Sequence, residues 1–171
     1  MSLANRGKHL EQILDHVHAG YMARGAAYVL RTPPPVKVLS APVRGVFRAC
    51  FEEAGPCDYL AVVDGVPLVF DAKECNATRW PLSHLPTHQA AHFDGVERAG
   101  GRAAVLLSFP ASTWVVPWTV PGESHCLRAS WRKWVDGDAG RGEASVSVLD
   151  VGTIGVHVRD WDWLRAWKVC A

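Results

Sequence analysis

Residues 58–74, DYLAVVDGVPLVFDAKE, constrain the fold more than any other stretch of the chain. Two apolar runs, 59–63 and 66–72, flank Asp64-Gly65. That dipeptide between β-prone runs signals a two-residue hairpin turn. Such a turn fixes the register and sets Asp58 opposite Asp71, with Cβ atoms about 4.5–5.5 Å apart if pairing reaches that end. Two carboxylates so close repel each other unless a cation sits between them or one is protonated. Oxygen-only ligation with open positions suits Mg²⁺ or Mn²⁺. Lys73 lies two residues beyond Asp71 and projects from the same face of the strand. A lysine there can orient or activate a water, or steady negative charge developing on phosphorus. Metal-assisted phosphodiester hydrolysis needs this set of groups. The residues alone leave open an ordinary salt bridge between Asp58 and Lys73, because acids and lysines are common at strand ends. Glu74 projects from the other face and stays outside the set.

The rest of the chain supplies a frame for this hairpin. Residues 8–24 carry Leu10, Ile13, Leu14 and Val17 at helical spacing, and Gly25 is a natural stop. Residues 26–30 read as a short buried strand. The run Thr32-Pro-Pro-Pro cannot be helix interior or central sheet. It opens a segment, about 32–56, that interrupts the core pattern and is expected to project. Residues 73–83 read as a polar loop, and Pro86 opens a helix to Ala99 that Gly100-Gly101 ends. Residues 103–109 and 113–118 read as strands, 128–135 as a short helix, 138–144 as a surface loop and 159–169 as a terminal helix. The expected fold is α/β, a single domain over 1–171 with a mixed central β-sheet flanked by helices.

Composition bounds the class. Hydrophobic residues make up 49% and charged residues 20%, ordinary for a globular domain. No apolar run approaches the roughly 20 residues that span a bilayer, and the first residues, MSLANRGKHLEQ, lack a signal-like apolar stretch. A cytoplasmic protein with no membrane partner is expected. Five scattered cysteines without a CxxC pair indicate neither a disulfide framework nor a zinc ribbon. His84, His88 and His92 recur every four residues, but the outer pair would lie about 12 Å apart on a helix, too far to share one tetrahedral zinc. The net charge of +1 hides an asymmetry: residues 1–48 carry seven basic residues and two acids, and the remainder is acidic. A basic third suits phosphates.

Asp58…Asp71-Ala-Lys73 resembles the core of the PD-(D/E)xK nuclease superfamily. The words around it narrow the resemblance: NRGK…E at 5–11, RTPPPVKV at 31–38, CDY at 57–59, FDAKE at 70–74, TRWPL at 78–82 and HQ at 88–89, in that order. Together they resemble the RecU Holliday junction resolvases over residues 5–109; the Trp-rich end is only loosely similar. The resemblance implies a restriction-endonuclease-like core with a projecting stalk at about 32–56. It implies a bacterial or phage-encoded homodimer that binds four-way junction DNA, each subunit nicking one strand with Mg²⁺ or Mn²⁺. Asp58 and Asp71 would be metal ligands, Glu11 the acid completing the metal site, Lys73 the catalytic lysine, and Gln89 a residue positioning the lysine, a water or the DNA. Arg6, Lys8, Arg31, Lys37, Arg44, Arg48 and Arg79 would meet DNA. A recombinase or branch-migration protein is a conceivable further partner.

There are departures from the family pattern. Cys57 stands where the family usually has threonine or a small polar residue, Asp71 where many members have glutamate, and Trp80 where they have phenylalanine. Trp161, Trp163 and Trp167 read as core or dimer packing rather than as base-stacking platforms. Two rival readings stay open: another PD-(D/E)xK endonuclease that cuts duplex or flap DNA, and a junction-binding protein with a decayed site.

Overall fold

The structure, a computed structural model, describes residues 8–52, 55–138 and 144–170. Helix α1 (Lys8–Ala23) buries Leu10, Leu14 and Tyr21 along one face. Gly25 adopts φ 64° just beyond it, and the Ala26 N–H reaches back to the Tyr21 carbonyl at 3.0 Å. That bond closes the helix as a Schellman-type cap, which needs a left-handed residue where glycine stands. Strand β1 (Tyr28–Arg31) follows, then the prolines.

Strands β2 (Val36–Val38) and β3 (Ala49–Phe51) pair antiparallel with each other and form a separate two-stranded sheet. Every residue of both is exposed. Beyond them a bridge joins Val43 to Val46 around Arg44 (φ 54°) and Gly45 (φ 79°).

Strands β4 (Tyr59–Val63) and β5 (Val66–Glu74) form the expected hairpin, with Val63 opposite Val66 and Tyr59 opposite Phe70. Asp64 and Gly65 have φ 49° and 82°, the two positive values that the sequence demands of this turn. The expected loop at 73–83 needs correction. β5 runs on to Glu74, and β6 (Arg79–Pro81) pairs with β9 (Ser145–Ser147) before a 3₁₀ turn at Leu82–His84. The partner strand is more than sixty residues away, so no local pattern announces it. Helix α2 (Thr87–Arg98) has Pro86 as its N-cap, one position earlier than expected.

Next come β7 (Arg102–Phe109), β8 (Ser112–Pro117), helices α3 (Leu127–Val135) and α4 (Val148–Ile154), β10 (Val156–Val158) and helix α5 (Trp163–Cys170). The main sheet has the order β1-β4-β5-β7-β8-β10. Its pairs are antiparallel except β5 with β7, which are parallel and joined through α2. A parallel pair needs such a crossover. The fold class is therefore α/β with a mixed sheet.

Alternation along the strands makes two apolar layers. Val69, Val105, Leu107 and Val116 pack with Phe93, Trp118, Leu127, Trp131 and Val151 from the α2–α4 side. Phe70, Leu106 and Val115 pack with Leu14, Tyr21, Trp163 and Trp167 from the α1–α5 side. The terminal tryptophans are core packing, with Trp161 half-buried against it. One part of the sheet has no cover among the described residues: Tyr28 and Leu30 on β1 are 57% and 51% exposed, beside exposed Leu60 and Val62 on β4. No helix among the described residues is long and apolar enough to cross a membrane.

Candidate active site

The β4–β5 ladder ends at Tyr59 opposite Phe70, one step short of Asp58 and Asp71. There side chains replace the ladder. The Asp58 N–H donates to Asp71 Oδ1 at 2.8 Å, and the Ala72 N–H donates to Asp58 Oδ2 at 3.0 Å. Each carboxylate thus satisfies a backbone donor of the opposite strand, which fixes both side chains beside each other. Asp71 is fully buried. Lys73 Nζ lies 2.9 Å from Asp71 Oδ2 and donates to Gln89 Oε1 at 3.2 Å. The contact with Asp71 is an ion pair outside hydrogen-bonding angles, so Oδ2 has a counter-charge and, among the described residues, no aligned donor. Gln89, in the first turn of α2, is itself buried. The crossover helix that makes β5 and β7 parallel is therefore what delivers the amide to the lysine.

Burial raises the Asp58 carboxyl above the usual carboxylate range, and the neighbouring Asp71 charge raises it further; Lys73 and the Ala72 N–H pull the other way. Two carboxylates share one ammonium in a partly desolvated site. That leaves negative charge which a cation would compensate. The oxygen-only donor set and the unaligned Asp71 Oδ2 fit a hard divalent cation such as Mg²⁺ or Mn²⁺.

The other expected residues fall in several places. Glu11 accepts from Arg31 rather than joining the aspartates, though its charge reaches Asp58. Among the described residues no three His, Cys, Asp or Glu side chains already gather into a metal site. Arg31 also lies 3.7 Å from Asp15. Lys37, Arg44 and Arg48 stand exposed on the β2–β3 ribbon and its extension. Arg79 donates from Nε and Nη2 to the Ser145 hydroxyl and carbonyl, both at 2.8 Å, and so helps to hold β6 against β9. Arg6 and the Lys8 side chain lie outside the described residues.

Thr32, which is not among the expected site residues, braces the site. Its N–H donates to the Asp58 carbonyl at 2.9 Å and its hydroxyl donates to the Cys57 carbonyl. The signal was a hydroxyl residue fixed ahead of three prolines, but nothing local names its partner. Cys57 fills its position as a small buried group, 3.5 Å from the Tyr59 carbonyl. Burial pushes its thiol up to about 11, so it stays protonated.

The family model for Recombination protein U (RecU) matches residues 5–120. The chain is 34% identical over 110 residues to the Holliday junction resolvase RecU of Pediococcus pentosaceus, covering 61% of this chain and 55% of that protein. It is 32% identical over 122 residues to the protein of the same name in Bacillus pumilus, covering 68% and 60%. Against the Geobacillus thermodenitrificans protein, also named Holliday junction resolvase RecU, it is 31% identical over 163 residues, covering 91% and 76%. The match therefore spans 55% and 60% of the length of the first two relatives. Among solved structures, Hjc of Archaeoglobus fulgidus, a Holliday junction resolvase, aligns with a TM-score of 0.46 and 12% identity over 90% of this chain and 98% of that one. The ordered motifs, the hairpin that joins two of them and the match over residues 5–120 lead to one assignment: the chain belongs to the RecU family.

Proposed function

We propose that this chain is a structure-selective endodeoxyribonuclease that resolves four-way DNA junctions by divalent-metal-dependent hydrolysis, in recombination and repair. The observation that carries the reading is the buried Asp71 set between Asp58 and Lys73, with Gln89 holding the lysine. The relatives' name, Holliday junction resolvase, supports the substrate.

Asp58 and Asp71 would hold the metal, with Glu11 as the third carboxylate. Bound Mg²⁺ or Mn²⁺ would supply Lewis-acid activation of a water and neutralise charge on the phosphate. Lys73 is held between the Asp71 carboxylate and the Gln89 amide, which together limit where Nζ can go. Its role is to counter the negative charge that builds on phosphate oxygens during hydrolysis. The β2–β3 ribbon, with Lys37, Arg44 and Arg48, serves as a stalk that meets junction phosphates. Those contacts position the DNA without reading its sequence.

The uncovered face of β1 and β4 supports a homodimer, which places two such sites on one junction. A cytoplasmic location in a bacterial host follows from that substrate. The test is cleavage of a fixed four-way junction beside duplex and flap DNA, with and without Mg²⁺. Metal-dependent cutting of the junction in preference to the others is expected. Equal cutting of duplex would replace the junction reading with that of a general endonuclease. Junction binding without cleavage under Mg²⁺ and Mn²⁺ would make the site a decayed one.

A further inference from the structure

A cleft of about 670 Å³ opens at the same end of the main sheet as Lys73 but on the other face. Register places it there. Glu74 pairs with Ser108, Ser108 with Thr113, and Thr113 with Val158, so one row runs from the catalytic strand to the end of β10. Three strand spacings make that row about 14 Å long. The Ser108 and Thr113 hydroxyls, 3.3 Å apart, line the floor. His157, Arg159 and Trp161 line the far wall, and they fall beyond residues 5–120, where the family match ends.

Two features bear on what the cleft takes. Asp160 and Trp161, at φ 52° and 61°, are the central pair of a tight turn that the Asp162 N–H closes on the Arg159 carbonyl at 2.9 Å. That turn sets Arg159, Asp160 and Trp161 side by side on the cleft wall. The lining is also of mixed polarity. A track for phosphates alone would gather arginines and lysines, but here Arg159 stands among the carboxylates of Glu74 and Asp160, the Asn76 amide and the hydroxyls of Ser108, Ser112 and Thr113. Carboxylates and hydroxyls are acceptors for amino groups on base edges, and an indole is a surface on which a base stacks.

We propose that this cleft takes an unstacked nucleobase of the DNA strand being cut, a short distance along that strand from the scissile phosphate. Trp161 is the stacking surface, Asp160 and the hydroxyls meet the base edge, and Arg159 meets the adjoining phosphate. The inference rests on the nuclease reading of Asp58, Asp71 and Lys73 for where the strand lies.

The experiment uses the full chain and a four-way junction carrying a fluorescent purine analogue at successive positions around the cut, without divalent metal. At one position binding should change the emission far more than elsewhere. Trp161→Ala should abolish that change, Arg159→Ala should reduce it, and Trp161→Phe should restore most of it. An abasic nucleotide at that position should slow metal-supported cleavage by wild type about 10-fold or more and add nothing to the loss in Trp161→Ala. Trp161 also packs on the core, so if Trp161→Ala unfolds, the exposed Arg159→Ala decides. No responsive position, or a response that survives both alanine variants, overturns the proposal. The nuclease reading fails separately: a Trp161-dependent response with no cleavage under Mg²⁺ or Mn²⁺ removes that reading and keeps the cleft.

Discussion

Asp71 is the residue on which most depends, because it touches both halves of the site. Its Oδ1 accepts from the Asp58 N–H, and its Oδ2 is the counter-ion of Lys73. Asp71→Asn keeps the shape and removes the charge. Lys73→Ala removes the ammonium and leaves the carboxylates unbalanced. Either change should lower single-turnover junction cleavage by roughly 10²–10⁴-fold, while junction binding, measured without metal, stays near wild type. Gln89 touches the site through its hydrogen bond to Lys73, so for Gln89→Ala a smaller loss, up to about 10²-fold, is expected from misplacement of the lysine. Cleavage by Asp71→Asn at the wild-type rate would remove Asp71 from the mechanism.

A second residue carries the pH dependence of stability. His18 is buried on α1 among the rings of Tyr21, Tyr59, Phe70 and Trp163, and its Nε2 has no hydrogen-bond partner among the described residues. Burial lowers its pKa to about 4, against a weaker opposing pull from Asp15 on the same helix. The unfolded chain takes up the proton below about 6.5 and the folded chain resists until about 4. Stability from this group is therefore full above pH 6.5 and falls as pH drops through that window, by about 2 kcal/mol between roughly pH 7 and pH 5. Urea midpoints at those two pH values measure it, and His18→Phe should flatten the difference. An unchanged slope in the variant would assign the effect to other groups.

At the scale of elements, the hairpin was legible because its information is local. Asp64-Gly65 names the turn, the turn fixes the register, and the register brings Asp58 to Asp71. α1 and α2 were legible for the same reason, from apolar spacing and their stops, and α5 only in part: the helix expected from 159 begins at Trp163, after a turn over 159–162. β6, β9 and β10 were not, since three-residue strands carry too little periodicity and β6 pairs across a long sequence separation. The geometry of the site divides along the same line. Asp58, Asp71 and Lys73 follow from one hairpin, while the ties from Gln89 and Thr32 depend on how a helix and a strand end pack.

The β2–β3 ribbon yields an element-scale prediction. Replacing Lys37, Arg44 and Arg48 together with alanine should weaken junction binding and flatten its salt dependence by roughly one unit of slope for each residue that meets a phosphate. The exposed ribbon lacks a core of its own, so the melting temperature should hardly move. Binding that keeps its salt slope in a titration would show that the ribbon does not touch the DNA backbone.

At the scale of the whole molecule, the proposed resolution of a junction by two cuts raises the question of how one site per chain would serve both. Tyr28 pairs directly with Val62, and Leu30 with Leu60, so four apolar side chains form a block on the uncovered face of β1 and β4. The opposite face of the same strands packs under α1, which makes the exposed side the one left for a second copy. A C₂ pair would bury this block against itself. Leu30→Lys combined with Leu60→Glu tests the idea without opposing the fold, because the new charges are cross-strand neighbours of opposite sign within one subunit. The variant should sediment as a monomer where the wild type sediments as a dimer. The proposed catalytic residues Asp58, Asp71 and Lys73 are untouched, so it should still nick junctions, but the two nicks should become independent events and singly nicked junctions should accumulate. A variant that stays dimeric would place the interface elsewhere. A monomer that still delivers paired nicks would show that junction resolution does not need this face.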